Sequence, residues 1–152
     1  MSAIPVLGLA LILGAPVPKE AKKPDAPSIV GEWTCVEVTY NGRTDQPKPG
    51  SLHRVFKADG EMICHMDDVW SRSPYSVDPK KDPATLDTGT NDGKGSLELA
   101  IYKIEKDTLT LCLPGPELPG RPAIARKRPV TFDAPAGSRL TLMVFKRVEK
   151  KE

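Results

Sequence analysis

The sequence predicts an all-β chain, an antiparallel up-and-down β-barrel of about eight strands behind an N-terminal apolar leader. Three observations carry that expectation. Sixteen Pro and twelve Gly in 152 residues cut the chain into short pieces, which suits strands joined by turns and argues against long helices. Several of those pieces alternate apolar and polar residues with period two, the mark of a half-buried strand. No apolar pattern of helical period follows the leader, and no internal repeat is evident. A chain of this length is enough for one domain with a substantial core.

The elements follow in order. Residues 4–17 are almost entirely apolar or small, with no charge before Lys19. That run is short for a membrane span, which needs about twenty apolar residues. It matches the apolar region of a secretory signal, with Leu13-Gly14-Ala15 as a small-residue cleavage site. The alternatives are an uncleaved anchor or a mis-called start codon, because Met1-Ser2-Ala3 carries no basic residue. No Cys follows closely, which disfavours a lipid anchor. The reading is therefore a signal peptide over residues 1–15, a Pro/Lys-rich linker over 16–27, a barrel domain over 28–148 and a charged tail over 149–152. It makes the protein an exported one (periplasmic, cell-envelope or extracellular), with no stable membrane span in the mature chain.

The first strand is expected over residues 33–40, with Thr34, Val36, Val38 and Tyr40 on one face and Trp33 and Cys35 on the other, ending at the turn pair Asn41-Gly42. Residues 52–57 and 61–66 flank Ala58-Asp59-Gly60 as a hairpin. A loop rich in Asp, Ser and Arg is expected next, then short extended pieces at 75–77 and 84–87, with Pro79 and Pro83 confining the stretch between them to a loop or sheet edge. Residues 97–104 and 108–113 form the clearest hairpin, with Leu109, Leu111 and Leu113 alternating against Thr108, Thr110 and Cys112. Residues 114–122 are turn-rich, and 130–132 with 140–148 are expected to make the last hairpin.

Composition excludes several functions. Twenty-two Lys and Arg against twenty Asp and Glu leave a net charge of +2, too little field for nucleic acid, and the Lys146-Arg147 and Lys150-Lys151 cluster reads as a solvated tail. Cys35, Cys64 and Cys112 permit three pairings if the chain is oxidised, while buried free thiols are the simpler reading. Cys64-His65-Met66-Asp67-Asp68 contains ligand types, but neighbouring strand residues point to opposite faces, and structural zinc wants four convergent ligands. No nucleophile elbow is present, Asp67-Asp68 and Asp78 with Asp82 sit in polar loops, and Gly89, Gly93 and Gly95 do not open a helix. The expectation is a non-enzyme, with no metal and no cofactor.

Gly31-Glu32-Trp33, Phe56-Lys57-Ala58-Asp59-Gly60, Tyr75-Ser76-Val77-Asp78-Pro79, Pro83-Ala84-Thr85-Leu86-Asp87, Ile101-Tyr102-Lys103-Ile104, Asp107-Thr108-Leu109-Thr110-Leu111-Cys112, Arg121-Pro122 and residues 140–147 occur in that order. The series resembles an uncharacterised lipocalin-like domain family found mainly in Planctomycetes, typically secreted. The likeness covers residues 28–148. It departs from the family at Ala100, where Gly is usual, and in separating Arg121-Pro122 from Arg128-Pro129 by an insertion over 123–127. The resemblance implies the barrel and export, and no activity.

Trp33 opens the first strand and Arg147 ends the last, so closure of the sheet would bring them to one end of the barrel. In lipocalin-like proteins such a pair seals the closed end. Trp33, Met62, Met66, Leu99, Met143 and Phe145 are candidates to line the interior. They would either contact a small hydrophobic ligand or simply fill the barrel of a structural or protein-interaction domain. A monomer is expected.

Overall fold

The computed structural model describes residues 27–89, 98–116 and 127–150. The expected leader, all but the last residue of the linker, the Arg121-Pro122 pair and the 123–126 part of the insertion lie outside them. Nine strands make one antiparallel sheet: β1 (Gly31–Tyr40), β2 (Arg43–Asp45), β3 (Leu52–Phe56), β4 (Glu61–Met66), β5 (Val69–Asp78), β6 (Ala84–Thr88), β7 (Glu98–Glu105), β8 (Thr108–Pro114) and β9 (Leu140–Arg147). Strands β3 to β9 pair in chain order, and β1 joins β3 on one edge and β9 on the other. Eight strands therefore form a closed up-and-down barrel, which leaves no open edge around the ring. The three-residue β2 stands outside it as a flap on the end of β1. It follows Asn41-Gly42, whose φ values of 51° and 83° give the primed turn that matches strand twist.

Inward residues follow from register, because cross-strand partners share a face. Trp33 pairs with Arg54, Arg54 with Cys64 and Cys64 with Ser71; on the other side Phe145 pairs with Cys35 and Leu109. Trp33, Phe56, Leu86, Leu109, Leu111 and Phe145 are almost fully buried, and they form the core with Met62, Tyr102 and Met143.

Three expectations need correction. A bulge between Cys35 and Glu37 shifts the register of β1 against β9. It inserts one residue, so Val38 turns inward against the core while Val36 is left exposed, opposite to simple alternation. The expected Asp/Ser/Arg loop is instead the first half of β5, joined to β4 by the two-residue turn Asp67-Asp68. Its polar residues Ser71 and Ser73 face into the barrel, and its outward Pro74 still accepts the Gly89 amide through its carbonyl. Residues 130–132 form no strand. They belong to a strap across the outside of β7 and β8, where Ile101 and Cys112 face outward yet are buried. Arg128 ties that strap down, with Nη2 2.6 Å from an Asp87 carboxylate oxygen and Nη1 donating to the Ala100 carbonyl at 2.7 Å. The cysteines agree with the simpler reading: all three are free thiols, Cys35 and Cys112 buried and Cys64 partly so. Cys35 and Cys64 belong to the inward set, whereas Cys112 lies on the outer face beneath the strap.

Candidate functional site

The two ends of the barrel are built differently. At one end, Trp33 is wholly buried and its indole N–H donates to the Ile29 carbonyl at 2.8 Å. Arg147, its register partner on β9, lays its guanidinium over the indole with Cζ 4.0 Å from the ring centroid. The same guanidinium donates to the carbonyls of Val30 and Ser28 at 3.0 and 2.9 Å. It thus stacks on an aromatic face and clasps the entering chain at once, a use of planarity that Lys could not reproduce. Gly31 makes this possible: its φ is 139°, and a Cβ there would lie 2.6 Å from Arg147 Nη1. The glycine of Gly31-Glu32-Trp33 leaves room for the arginine.

Around this sealed end, Lys57 pairs with Glu61 and Asp59, and Lys146 with Asp107. Hydrogen bonds donated to the Glu61 and Asp59 carboxylates hold the Lys57 ammonium above its usual pKa, and the bond from Lys146 holds the Asp107 carboxyl below its own. A cavity of about 300 Å³ also lies at this end, lined by Pro27, Pro79, Pro83, Tyr102, Ile104 and Phe132 among others. It touches the barrel's rim, away from the opposite mouth.

At the opposite end the inward residues are smaller and more polar. Cys64, Ser71 and Ser73 face inward yet stay partly accessible, and Thr88 donates to Glu98 at 3.1 Å. Deeper in the barrel sits Arg54, only 7% exposed, with Cζ 5.9 Å from the Phe145 centroid. Its Nη1 reaches only the Met62 sulfur, at 4.0 Å, and its Nε has no hydrogen-bond partner. Among the described residues no carboxylate lies within ion-pair distance of it. Thr141, buried near the mouth, also leaves its hydroxyl unpaired. Burial pushes the nearby Cys35 thiol up to about 11, so it is a neutral neighbour for the guanidinium. Burial likewise raises the Cys112 thiol and the phenols of Tyr75 and Tyr102.

Of the six candidate lining residues, Trp33, Met62, Met143 and Phe145 are buried inside the barrel. Met66 is not: it ends β4 at the mouth and is 55% exposed. Leu99 is not either, because its partner Asp87 lies on the outer face and Ala100 takes the inward position. Arg54 escaped the sequence reading. The signal for it was the alternation Leu52-x-Arg54-x-Phe56, which places a cation in an apolar row.

Outside the barrel, Thr34, His53, His65 and Trp70 form one cross-strand row. Thr34 shares a hydrogen bond with His53 at 2.8 Å, and His65 stacks on Trp70 at 4.0 Å. Among the described residues no group of three or more His, Cys, Asp or Glu is placed to hold a metal ion. No described helix is long and apolar enough to cross a membrane. No protein-family model matches the sequence, and no curated protein matches it.

Proposed function

We propose that this is an exported, lipocalin-like binding module whose barrel takes a small, largely apolar ligand through the end opposite Trp33 and Arg147. The observation that supports this reading is the difference between the ends. One is plugged by a stacked, hydrogen-bonded clasp, and at the other inward residues of β4 and β5 remain accessible. Ligand sites favour such mouths, with an apolar wall and a few convergent polar groups. Export rests on the leader at residues 4–17 and the resemblance described above.

A second reading, a structural or interaction domain with a filled barrel, draws on the near-complete burial of Phe56, Leu86, Leu109 and Leu111 across the core. Native mass spectrometry of protein purified from the producing cell separates the two. A co-purifying small molecule that denaturation releases is expected. Bare protein, with no uptake of added apolar compounds, would leave the filled-barrel reading. N-terminal sequencing of the same material is expected to begin near Pro16, and retention of Met1 or Ser2 would remove the case for cleavage.

A further inference from the structure

Arg54 is a charged side chain that the barrel buries with no counter-charge among the described residues. A guanidinium carries five N–H donors and stays charged in proteins. Here one donor meets a thioether, a weak acceptor, and Nε meets nothing. Phe145 offers its ring at 5.9 Å, which offsets only part of the lost hydration. Leaving such donors unpaired is costly, and the cost is much larger for charged groups than for neutral ones. A purely structural barrel would be served as well by a Met or Leu at this position. The guanidinium lies on the inward row that continues through Cys64 to Ser71, both partly accessible to solvent. From its level to the mouth the wall is apolar on one side, formed by Leu52, Val38, Met143 and Leu113.

We propose that Arg54 is the anion anchor of the barrel, binding the carboxylate of a short amphiphilic acid whose apolar chain runs toward the mouth along Leu52, Val38 and Met143. A carboxylate matches the guanidinium fork with two parallel hydrogen bonds and brings one negative charge against one positive. A phosphate dianion would bring a second charge that no described cation in the interior offsets. Glu98, an inward carboxylate, is engaged by Thr88 and repels an anion from the opposite wall, which favours the Arg54 side. This deepens the ligand-binding reading above and rests on it.

The test compares decanoate with decanol, the same chain with and without charge, by calorimetry and by chemical-shift changes in the full-length protein. Decanoate is expected to bind about tenfold or more tightly than decanol, the effect of one charge-assisted hydrogen-bonded pair. Arg54→Met should abolish that preference while keeping decanol binding, and Arg54→Lys should restore part of it. Equal binding of both compounds, unchanged in Arg54→Met, would overturn the anchor and leave apolar binding standing. Binding of neither compound would overturn the anchor and the ligand-binding reading together.

Discussion

Arg147 at the sealed end and Arg54 inside the barrel flank Trp33 on one cross-strand row, yet they meet different surroundings. Arg147 at the sealed end satisfies donors on two backbone carbonyls and rests on an indole, so it ties the end of β9 to the chain entering β1. Arg54, buried deeper, has an aromatic ring nearby, a thioether at Nη1 and no partner at Nε among the described residues. Fully satisfied, a buried polar group rigidifies a structure; left unsatisfied, it is a cost that folding alone does not explain. The difference teaches that arginine near an aromatic is not by itself a structural device. What matters is whether the remaining N–H groups find acceptors within the chain.

The sharpest way to break this comparison is to remove the indole. Trp33→Ala should lose about 3–5 kcal/mol of stability, the usual range for a fully buried aromatic, read by urea unfolding. A loss under about 1 kcal/mol would mean that the sealed end does not hold the barrel closed.

Arg147→Ala should cost less, about 1–2 kcal/mol, since its guanidinium lies near solvent and loses stacking and two backbone bonds. The double mutant should cost measurably less than the sum of the singles, because the two residues are partners. Arg139, before the start of β9 at the other end, should show no coupling to Trp33. Arg54→Met should behave in the opposite sense to Arg147→Ala, neutral or stabilising by about 1 kcal/mol, because it replaces an unpaired buried cation with an apolar side chain of similar reach. Destabilisation by more than about 2 kcal/mol would show that Arg54 has structural partners and would erase the contrast between the two arginines.

Much of this fold is legible in the sequence, and what is not has physical reasons. The hairpin at β7 and β8 was plain because leucines alternate without interruption. The first half of β5 was hidden because its inward positions are Ser71 and Ser73, so a strand facing a partly open interior reads like a loop. The strap reads as a strand in the sequence because Val130-Thr131-Phe132 has strand composition. Its role depends on Arg128 reaching Asp87 across the sheet, which no local pattern encodes. Val38 was assigned to the wrong face because a bulge adds one residue to the count without a glycine to announce it. The pairing of Trp33 with Arg147 follows from closure alone. Arg54 is legible only through the apolar row Leu52-x-Arg54-x-Phe56, which competes with a second face that also carries an apolar residue, Val55, beside His53.

The thiols give a second contrast, read by pH. Cys35 is raised by burial from the ordinary thiol value of 9.0 to about 11. A thiol whose folded pKa lies above its unfolded pKa contributes stability that is fully present below about 9 and is lost as pH rises toward about 11, because only the unfolded chain gains the thiolate. Stability should therefore fall over that window, and Cys35→Ala should flatten the fall. In the folded protein at neutral pH, a thiol reagent should modify the partly accessible Cys64 first and leave Cys35 and Cys112 untouched until unfolding. Labelling of Cys35 at the same rate as Cys64 would place the deep interior in free exchange with solvent.

The smallest effect is expected at the rim, and it tests where the core stops. Met62 and Met66 lie on one strand and share a face, four residues apart, yet Met62 is 5% exposed and Met66 55%. Met62→Ala should cost about 2–5 kcal/mol, the range for a buried methionine truncated in a packed interior. Met66→Ala should change stability by less than about 0.5 kcal/mol, because most of its side chain already meets water. Met66 is nonetheless the residue an entering ligand would pass, beside Val69 and Trp70, which are also exposed at the tip of this hairpin. The discriminating measurement is the decanoate titration repeated on Met66→Ala. A changed association rate with unchanged stability would make this tip part of the entry path. Unchanged kinetics would move the path to the other side of the mouth, toward Thr141 and β9.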